Sequence, residues 1–454
     1  MRGAVAITVL VALLVATVAV AGPPGHWTPV SKGRIASTDL AGLARTPDGV
    51  LHVVWQRRGA TTSALWQTRL SPDGVSLGLG PVAAGLAEPG SPALTPEPGG
   101  VLDAFTFART ADGTGADLML FTASASGDWT PGAQPLAHVA GVIAPAVGAT
   151  TTRDGTPVVA WSAGSQLRFR YGIDPGAASP AVGAGGCCAS GVQPAVDQAT
   201  GQAYLAWASS APHAMGIYVE AIDRGGATRP RVFATGSANK KRTRAALPAG
   251  RVALAARTGA PGVYLAYATS YPKVRGVSLL HVGVRKVVLH VDAADAATVV
   301  LAAAPQGRLW LAWSRDGAIY AARTNRFATH LGAVRKIPFR RGARAVDQLQ
   351  GEAGSGLLDL VASFDARGNA SFWHQIVLPG LSLAVTTTNQ TSGTARYVFR
   401  VTDAGEPVPN ASVRVGQQTL TTGVAGVVVL ATSDRPPTAT ASKLGYAPAT
   451  TRLP

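Results

Sequence analysis

Apolar and polar positions alternate with period two through most of the chain, in short runs cut by turns. One phrase recurs: a turn with Gly, then an apolar alternation ending on an aromatic or small residue. It occupies Asp48–Trp55, Gly99–Phe105, Asp154–Trp161, Thr200–Trp207, Pro261–Tyr267, Gln306–Trp313 and Ser355–Val361. Starts lie 45 to 61 residues apart. The mean of about 51 residues per unit is the size of a four-stranded propeller blade. Small-residue strands precede several phrases (Ser91–Leu94, Ala144–Val147, Gln193–Val196), and a second alternating run follows (Ala64–Leu70, Leu167–Tyr171, Ile217–Ala221). Period-2 runs bounded by Gly, Pro and Asp are what strands packed between neighbouring sheets require. The pattern predicts innermost, second and third strands in each unit, with a looser fourth.

The seventh unit has its third strand at Ser371–Leu378 and then no fourth. His26–Val30 echoes Asp128–Pro131, at the fourth strand of the second unit, through a shared Trp-Thr-Pro. The N-terminal segment is therefore expected to supply the missing strand and cover an open sheet edge. This favours seven blades over six or eight. Beyond residue 380 the Gly-led phrase stops and Thr and Val dominate. Tyr397–Val415, Thr421–Leu430 and Lys443–Ala449 predict a small β-sandwich. The expected fold is all-β: a seven-bladed β-propeller of four-stranded blades over 22–380, then a β-sandwich over 381–454.

Composition agrees. The 454 residues are 47% hydrophobic and only 14% charged, which permits a large core and excludes wholesale disorder. Two Cys exclude a disulfide scaffold and a Cys-rich zinc module. Residues 1–21 stand apart as a signal peptide. Arg2 is followed by the apolar run Ala4–Val18, then by Ala19, Val20 and Ala21 with small residues at −3 and −1, before Gly22, Pro23 and Pro24. The alternative is an uncleaved anchor, since the run approaches the roughly 20 residues that span a bilayer. No comparable run follows, so the cleaved protein is expected to lack a transmembrane segment and to be secreted or held at the cell surface.

The blade grammar resembles sialidase-like (Asp-box, BNR-type) propellers, whose repeat carries Ser-x-Asp-x-Gly-x-x-Trp in the turn after the third strand. Degenerate versions stand at Ser71–Gly74, Ser126–Trp129 and Asp223–Gly226. The resemblance implies a propeller and leaves activity open. A true sialidase would carry an early Arg-Ile-Pro motif, a Tyr nucleophile, acids and further Arg residues. The nearest match, Gly33–Ala36 with Arg34, lacks the Pro. The tail resembles carboxypeptidase-regulatory-like or bacterial Ig-like domains through Glu406–Gly416 and Gly445–Pro448, which implies an Ig-like or transthyretin-like sandwich acting as a spacer or adhesion module.

Three places could carry chemistry. Fourth in each second-strand phrase, counting its turn Gly as first, stand His52, Asp103, Val158, Tyr204, Leu265, Trp310 and Asp359. His52, Asp103 and Asp359 therefore form a candidate polar site on contiguous blades, either as an acid–base or carboxylate pair or as three satisfied side chains at blade edges. Equivalent positions point the same way around a ring, so the three are not expected to face one another. Cys187 and Cys188 are the only cysteines, and a disulfide between them is the default in an exported protein. Adjacent Cα atoms are about 3.8 Å apart, below the roughly 4.4–6.8 Å usual for bridged pairs. Such a bridge would be strained and would stiffen a turn. The eight His are scattered without metal-ligand spacing, so no metal and no cofactor is expected.

Charge separates the function classes. Residues 224–344 hold 22 basic and three acidic residues, a net of +19, while the rest of the mature chain is net −4. Two clusters stand out: Lys240, Lys241, Arg242 and Arg244, and Arg335, Lys336, Arg340, Arg341 and Arg344. Both fall in or near links from an outer strand to the next inner strand, so they are expected to share one face. A one-sided field of this size favours an anionic polysaccharide or another anionic envelope polymer. Nucleic acid is disfavoured, because export removes the usual encounter and no aromatic-plus-basic recognition motif is present. The leading expectation is an exported, non-catalytic binding or scaffold protein of the cell envelope. The alternative is a sialidase-like exo-glycoside hydrolase with degenerate motifs. Oligomeric state is open.

Overall fold

The structure, a computed structural model, describes residues 24–453 apart from 33–34, 37, 60–61, 125–126, 142–144, 164, 185–188, 212, 230, 238–251, 270–275, 367–368, 390–393 and 435. The signal segment 1–21, Arg34, the Cys187–Cys188 pair and the cluster Lys240, Lys241, Arg242 and Arg244 lie outside the described residues.

The chain is all-β and folds as a β-propeller with a C-terminal appendage. Successive antiparallel sheets of four or five strands follow one another along residues 42–377. Each runs from an inner strand outward, as in Gly42–Arg45, Leu51–Arg58, Ser63–Leu70 and Ser76–Leu86. The first strands of the sheets line one central channel together, through Gly42, Ala93, Gly148, Pro194, Leu254, Leu301 and Gly351. Small residues predominate there because the strands converge. A Cβ at Gly148 would lie 2.4 Å from the Val192 carbonyl oxygen.

Second strands are buried along most of their length, with Ala203–Ser209 and Val263–Thr269 buried throughout. Alternate residues of one such strand serve two cores. Ala203, Leu205 and Trp207 pack toward the preceding sheet, while Tyr204, Ala206 and Ala208 pack toward the next. Leu309 and Leu311 likewise face backward and Trp310 and Ala312 forward. A sheet buried on both faces needs apolar residues at both phases of the pleat, hence the density of Val, Leu, Ala and Trp in the recurring phrase.

Turns are built locally. Thr46 Oγ1 donates to Asp48 Oδ1 (2.6 Å) and Gly49 N to the Thr46 carbonyl (2.9 Å), with Gly49 at φ 85°. Thr110–Gly113 and Thr152–Gly155 repeat this turn. The degenerate Asp-box segments at Ser71–Gly74 and Asp223–Gly226 do follow third strands, Ser63–Leu70 and Gly216–Asp223. The same grammar also serves turns between first and second strands.

Ring closure uses the N-terminus. Thr28–Pro29 pairs with Asn369–Val377 and completes the sheet Ala345–Glu352, Leu358–Ala366, Asn369–Val377. Thr28 sits opposite His374, just as Trp129–Pro131 pairs with the end of Gly115–Ala123 in the second sheet. The shared Trp-Thr-Pro thus marks one structural role twice.

Beyond residue 381 two four-stranded sheets close over one core containing Tyr397, Phe399, Val401, Val413 and Ala441. Strand Ala395–Asp403 turns through Ala404 and Gly405, both at positive φ, into Glu406–Pro407. No helix among the described residues is long and apolar enough to cross a membrane.

Candidate functional site

Because strands alternate in direction, turns between first and second and between third and fourth strands emerge on one face of the disc. Turns between second and third strands, and links to the next sheet, emerge on the other. The first face carries a central depression of ≈ 720 Å³ whose polar lining includes Arg45, Glu97, Arg153, Gln198, Glu352 and Ser355, among a collar of prolines.

Arg45 does not reach freely into this depression. Its Nε donates to Glu352 Oε2 (2.7 Å) and its Nη2 to Asp359 Oδ2. Asp359 Oδ1 in turn accepts from His374 Nε2 (2.8 Å), leaving the buried His374 Nδ1 without a partner among the described residues. The array crosses the closure seam, with Arg45 from the first sheet and the other three from the last. The buried Asp359 and the half-buried Glu352 against one guanidinium, with imidazole behind, satisfy one another where an unpaired charge would be costly. Arg153 is exposed and is the depression's remaining cation.

Asp103 lies at a different seam, between the second and third sheets. Thr122 Oγ1 donates to its Oδ1 (2.8 Å), and Oδ2 is buried without a partner among the described residues. Burial, with the Glu97 carboxyl beside it, pushes the Asp103 carboxyl up to about 7.

His52 faces the seam between the first and second sheets and belongs to a directional chain. Trp129 Nε1 donates to Gln67 Oε1 (3.1 Å) and Gln67 Nε2 to His52 Nδ1 (2.6 Å). His52 Nε2 then meets Thr46 Oγ1 (3.1 Å), whose own proton goes to Asp48. This order requires a neutral imidazole protonated at Nε2. Burial, aided by the positive charge of Arg69, pushes His52 down to about 4.

The three candidate residues therefore occupy three seams, each with its own partners, and the hydrogen bonds do not join them into one site. In the fifth sheet the equivalent position is Tyr264, opposite Ala255 and His281, rather than Leu265. The shortened fifth phrase had shifted the count by one residue. Sequence reasoning also missed Arg45, Glu352, His374 and Glu97. Arg45 directly precedes a Gly turn of the recurring phrase and Glu97 opens one, the one signal that could have placed them at the depression.

Of the described basic cluster, Arg340, Arg341 and Arg344 lie in the link between Arg335–Pro338 and Ala345–Glu352, on the face opposite the depression. Arg335 and Lys336 belong to the outer strand itself. Lys336, Arg341 and Arg344 are exposed, and Arg340 stacks on Trp373 at 4.0 Å from the ring centroid.

Other arginines of the basic stretch have a structural task. Asp403 Oδ2 receives Arg323 Nη2 and Arg308 Nη1 (3.4 Å), and Glu406 receives Arg308 Nη2 and, at 2.9 Å, Arg326 Nε. Arg323 also donates to the Tyr446 hydroxyl (3.2 Å). The tail is thus clasped to the sixth sheet through a two-carboxylate hairpin rather than hung from it. No group of three or more His, Cys, Asp or Glu among the described residues could hold a metal ion.

No family model and no curated protein matches the chain. Similar solved structures include Kuenenia stuttgartiensis hydrazine synthase, with 12% identity over 75% of this chain and 97% of that chain, at TM-score 0.46. The β-propeller domain of the Trilobed protease from Pyrococcus furiosus shares 7% identity over 73% and 93%, at 0.43. An α-L-arabinofuranosidase from Fusarium graminearum shares 10% over 78% and 98%, at 0.44. At such scores they carry no argument about activity.

Proposed function

We propose that the chain is a seven-bladed propeller with a carboxypeptidase-regulatory-like or Ig-like tail, acting as an exported, non-catalytic binding or scaffold protein of the cell envelope. Its ligand is an anionic polysaccharide or similar envelope polymer, held on the basic link face. The observation that carries this reading is the net +19 confined to residues 224–344. The clasp sharpens it: Arg308, Arg323 and Arg326 are neutralised by the tail on the other face, while Lys336, Arg341 and Arg344 stay exposed. Several exposed cations, each screened over about 8 Å at physiological salt, suit loose multivalent contact with a polyanion. Export is inferred from residues 1–21.

The glycosidase alternative requires a Tyr–Glu pair with converging arginines. The depression offers Glu97, Glu352, Arg45 and Arg153, but no tyrosine stands among its lining residues and Arg45 is already engaged. The test replaces Lys240, Lys241, Arg242, Arg244, Arg340, Arg341 and Arg344 by Gln or Ser. The parent should be retained on an anionic matrix, elute with rising salt and resist competition by a neutral polymer. The variant should flow through with its melting temperature lowered only slightly, since the exposed Arg341 and Arg344 cost within about 0.5 kcal/mol each and Arg340 adds the loss of its stacking on Trp373. Equal retention of both, or retention insensitive to salt, refutes the reading. A fluorogenic glycoside panel run in parallel checks the alternative.

A further inference from the structure

The seam between the first and second sheets opens on the depression-bearing face as a separate cavity of ≈ 710 Å³. Its size falls within the roughly 300–1,000 Å³ of small-molecule sites. Arg69, from strand Ser63–Leu70, lines it beside His52. The guanidinium lies between two glycines of neighbouring sheets. A Cβ at Gly127 would stand 3.2 Å from Arg69 Nη1, and one at Gly78 would stand 3.4 Å from Nη2. Larger residues there would fill the space the guanidinium uses.

Among the described residues no carboxylate pairs with Arg69, although Arg45 holds two at the closure seam and Arg308 and Arg323 hold those of the tail. Asp48 also lines the cavity and is exposed; its Oδ1 is taken by Thr46 Oγ1 and Val50 N, which leaves Oδ2 open to solvent. Leu77 contributes a half-exposed apolar wall. The neighbouring His52 is held neutral by Gln67 and Thr46, so the cavity presents one cation, one anionic acceptor and one apolar surface.

We propose that this seam binds a carboxylate-bearing, hydroxyl-rich small molecule of the hexuronic-acid class, with its carboxylate on Arg69, a hydroxyl on Asp48 and its ring face on Leu77. The planar guanidinium fork matches a carboxylate in two parallel hydrogen bonds, which a point-charge ammonium does not reproduce. A polyol hydroxyl takes the place of solvent at Asp48 Oδ2, and the C–H face of a pyranose covers Leu77. The site lies on the face opposite the basic links and goes beyond their reading as a polymer surface.

Ligand-observed NMR titration with glucuronate, glucose and acetate tests this on the mature protein. The parent should bind glucuronate saturably, with glucose and acetate at least tenfold weaker. Arg69→Gln should weaken glucuronate at least tenfold, and so should Leu77→Asp, which changes an exposed side chain and spares the fold. The variant lacking the basic link residues should bind glucuronate as the parent does, which separates this site from the polymer surface. Glucuronate bound no more tightly than glucose or acetate, or bound equally by either cavity variant, overturns the proposal.

Discussion

Deleting residues 22–32 tests the closure directly, and the structure sets its size. The segment buries Val30, at 3% exposure, between the first and last sheets, and a fully buried Val contributes about 1.5–3 kcal/mol. Six hydrogen bonds go with it: Val30 N to Phe372 O (2.9 Å), Ser31 N to Phe372 O (3.3 Å), Phe372 N to Ser31 Oγ (2.9 Å), Thr68 Oγ1 to Val30 O (2.8 Å), Thr28 Oγ1 to His374 O (3.2 Å) and Trp27 Nε1 to Pro338 O (3.0 Å). Each is worth about 1 kcal/mol net. Trp27 meets Phe364 edge-on at 4.8 Å, adding about 0.5–1.5 kcal/mol. Together the loss is about 8–10 kcal/mol, comparable with the whole stability of about 5–15 kcal/mol of an ordinary domain. With an unfolding entropy of about 2.1 cal/mol/K per residue over about 350 residues, the melting temperature should fall by about 11–14 °C. Differential scanning calorimetry reads the shift. Size-exclusion chromatography reads a second consequence, because the uncovered edge of Asn369–Val377 would template association. A deletion variant that melts within 2 °C of the parent and remains at the parent's elution volume refutes the closure argument.

Other consequences follow from buried charge. The folded value of Asp103, about 7, lies above the unfolded carboxylate range, so the folded state keeps its proton longer and stability should drop as pH rises from about 4 to about 7. Asp103→Asn should remove that slope, its melting temperature gaining on the parent's across the window; a pH-independent difference refutes this. His52 has the opposite sign: its folded value of about 4 lies below the unfolded one, so stability should fall as pH drops from about 6.5 to about 4. His52→Gln should flatten that limb, and an unchanged acid limb in its melts counts against a buried neutral imidazole. Asp403→Asn with Glu406→Gln should unclasp the tail, turning one calorimetric transition into two; a single transition at the parent's temperature means the arginines do not hold it.

The repeats and strands could be read from the chain because they rest on local physics. A pleat places successive side chains on opposite faces, and a turn such as Thr46–Gly49 needs a hydroxyl, a carboxylate and a positive-φ Gly within four residues. Both leave their pattern in a handful of consecutive letters. The Trp-Thr-Pro echo even located a pairing across 346 positions, Thr28 with His374, because the same strand role recurs with the same residues. Segregation of basic residues onto 224–344 was likewise plain in the chain.

What each ionisable group does was decided only by the closed ring. Asp359 and Asp103 occupy the same place in the phrase, yet one holds Arg45 and His374 while the other holds Thr122 beside Glu97. Arg45 and Asp359 are 314 positions apart, and Arg323 meets Asp403 across 80. A strand's own alternation says which residues face a seam but not what waits across it. That depends on the register and twist of the neighbouring sheet, and on the return of the N-terminus to the last blade. The sequence by itself thus determined the strands, their turns and the charged segment, all products of near-neighbour geometry. Tertiary structure alone decided which charges are consumed within seams and which remain for a ligand, because burial beside a distant partner sets whether a charge is free.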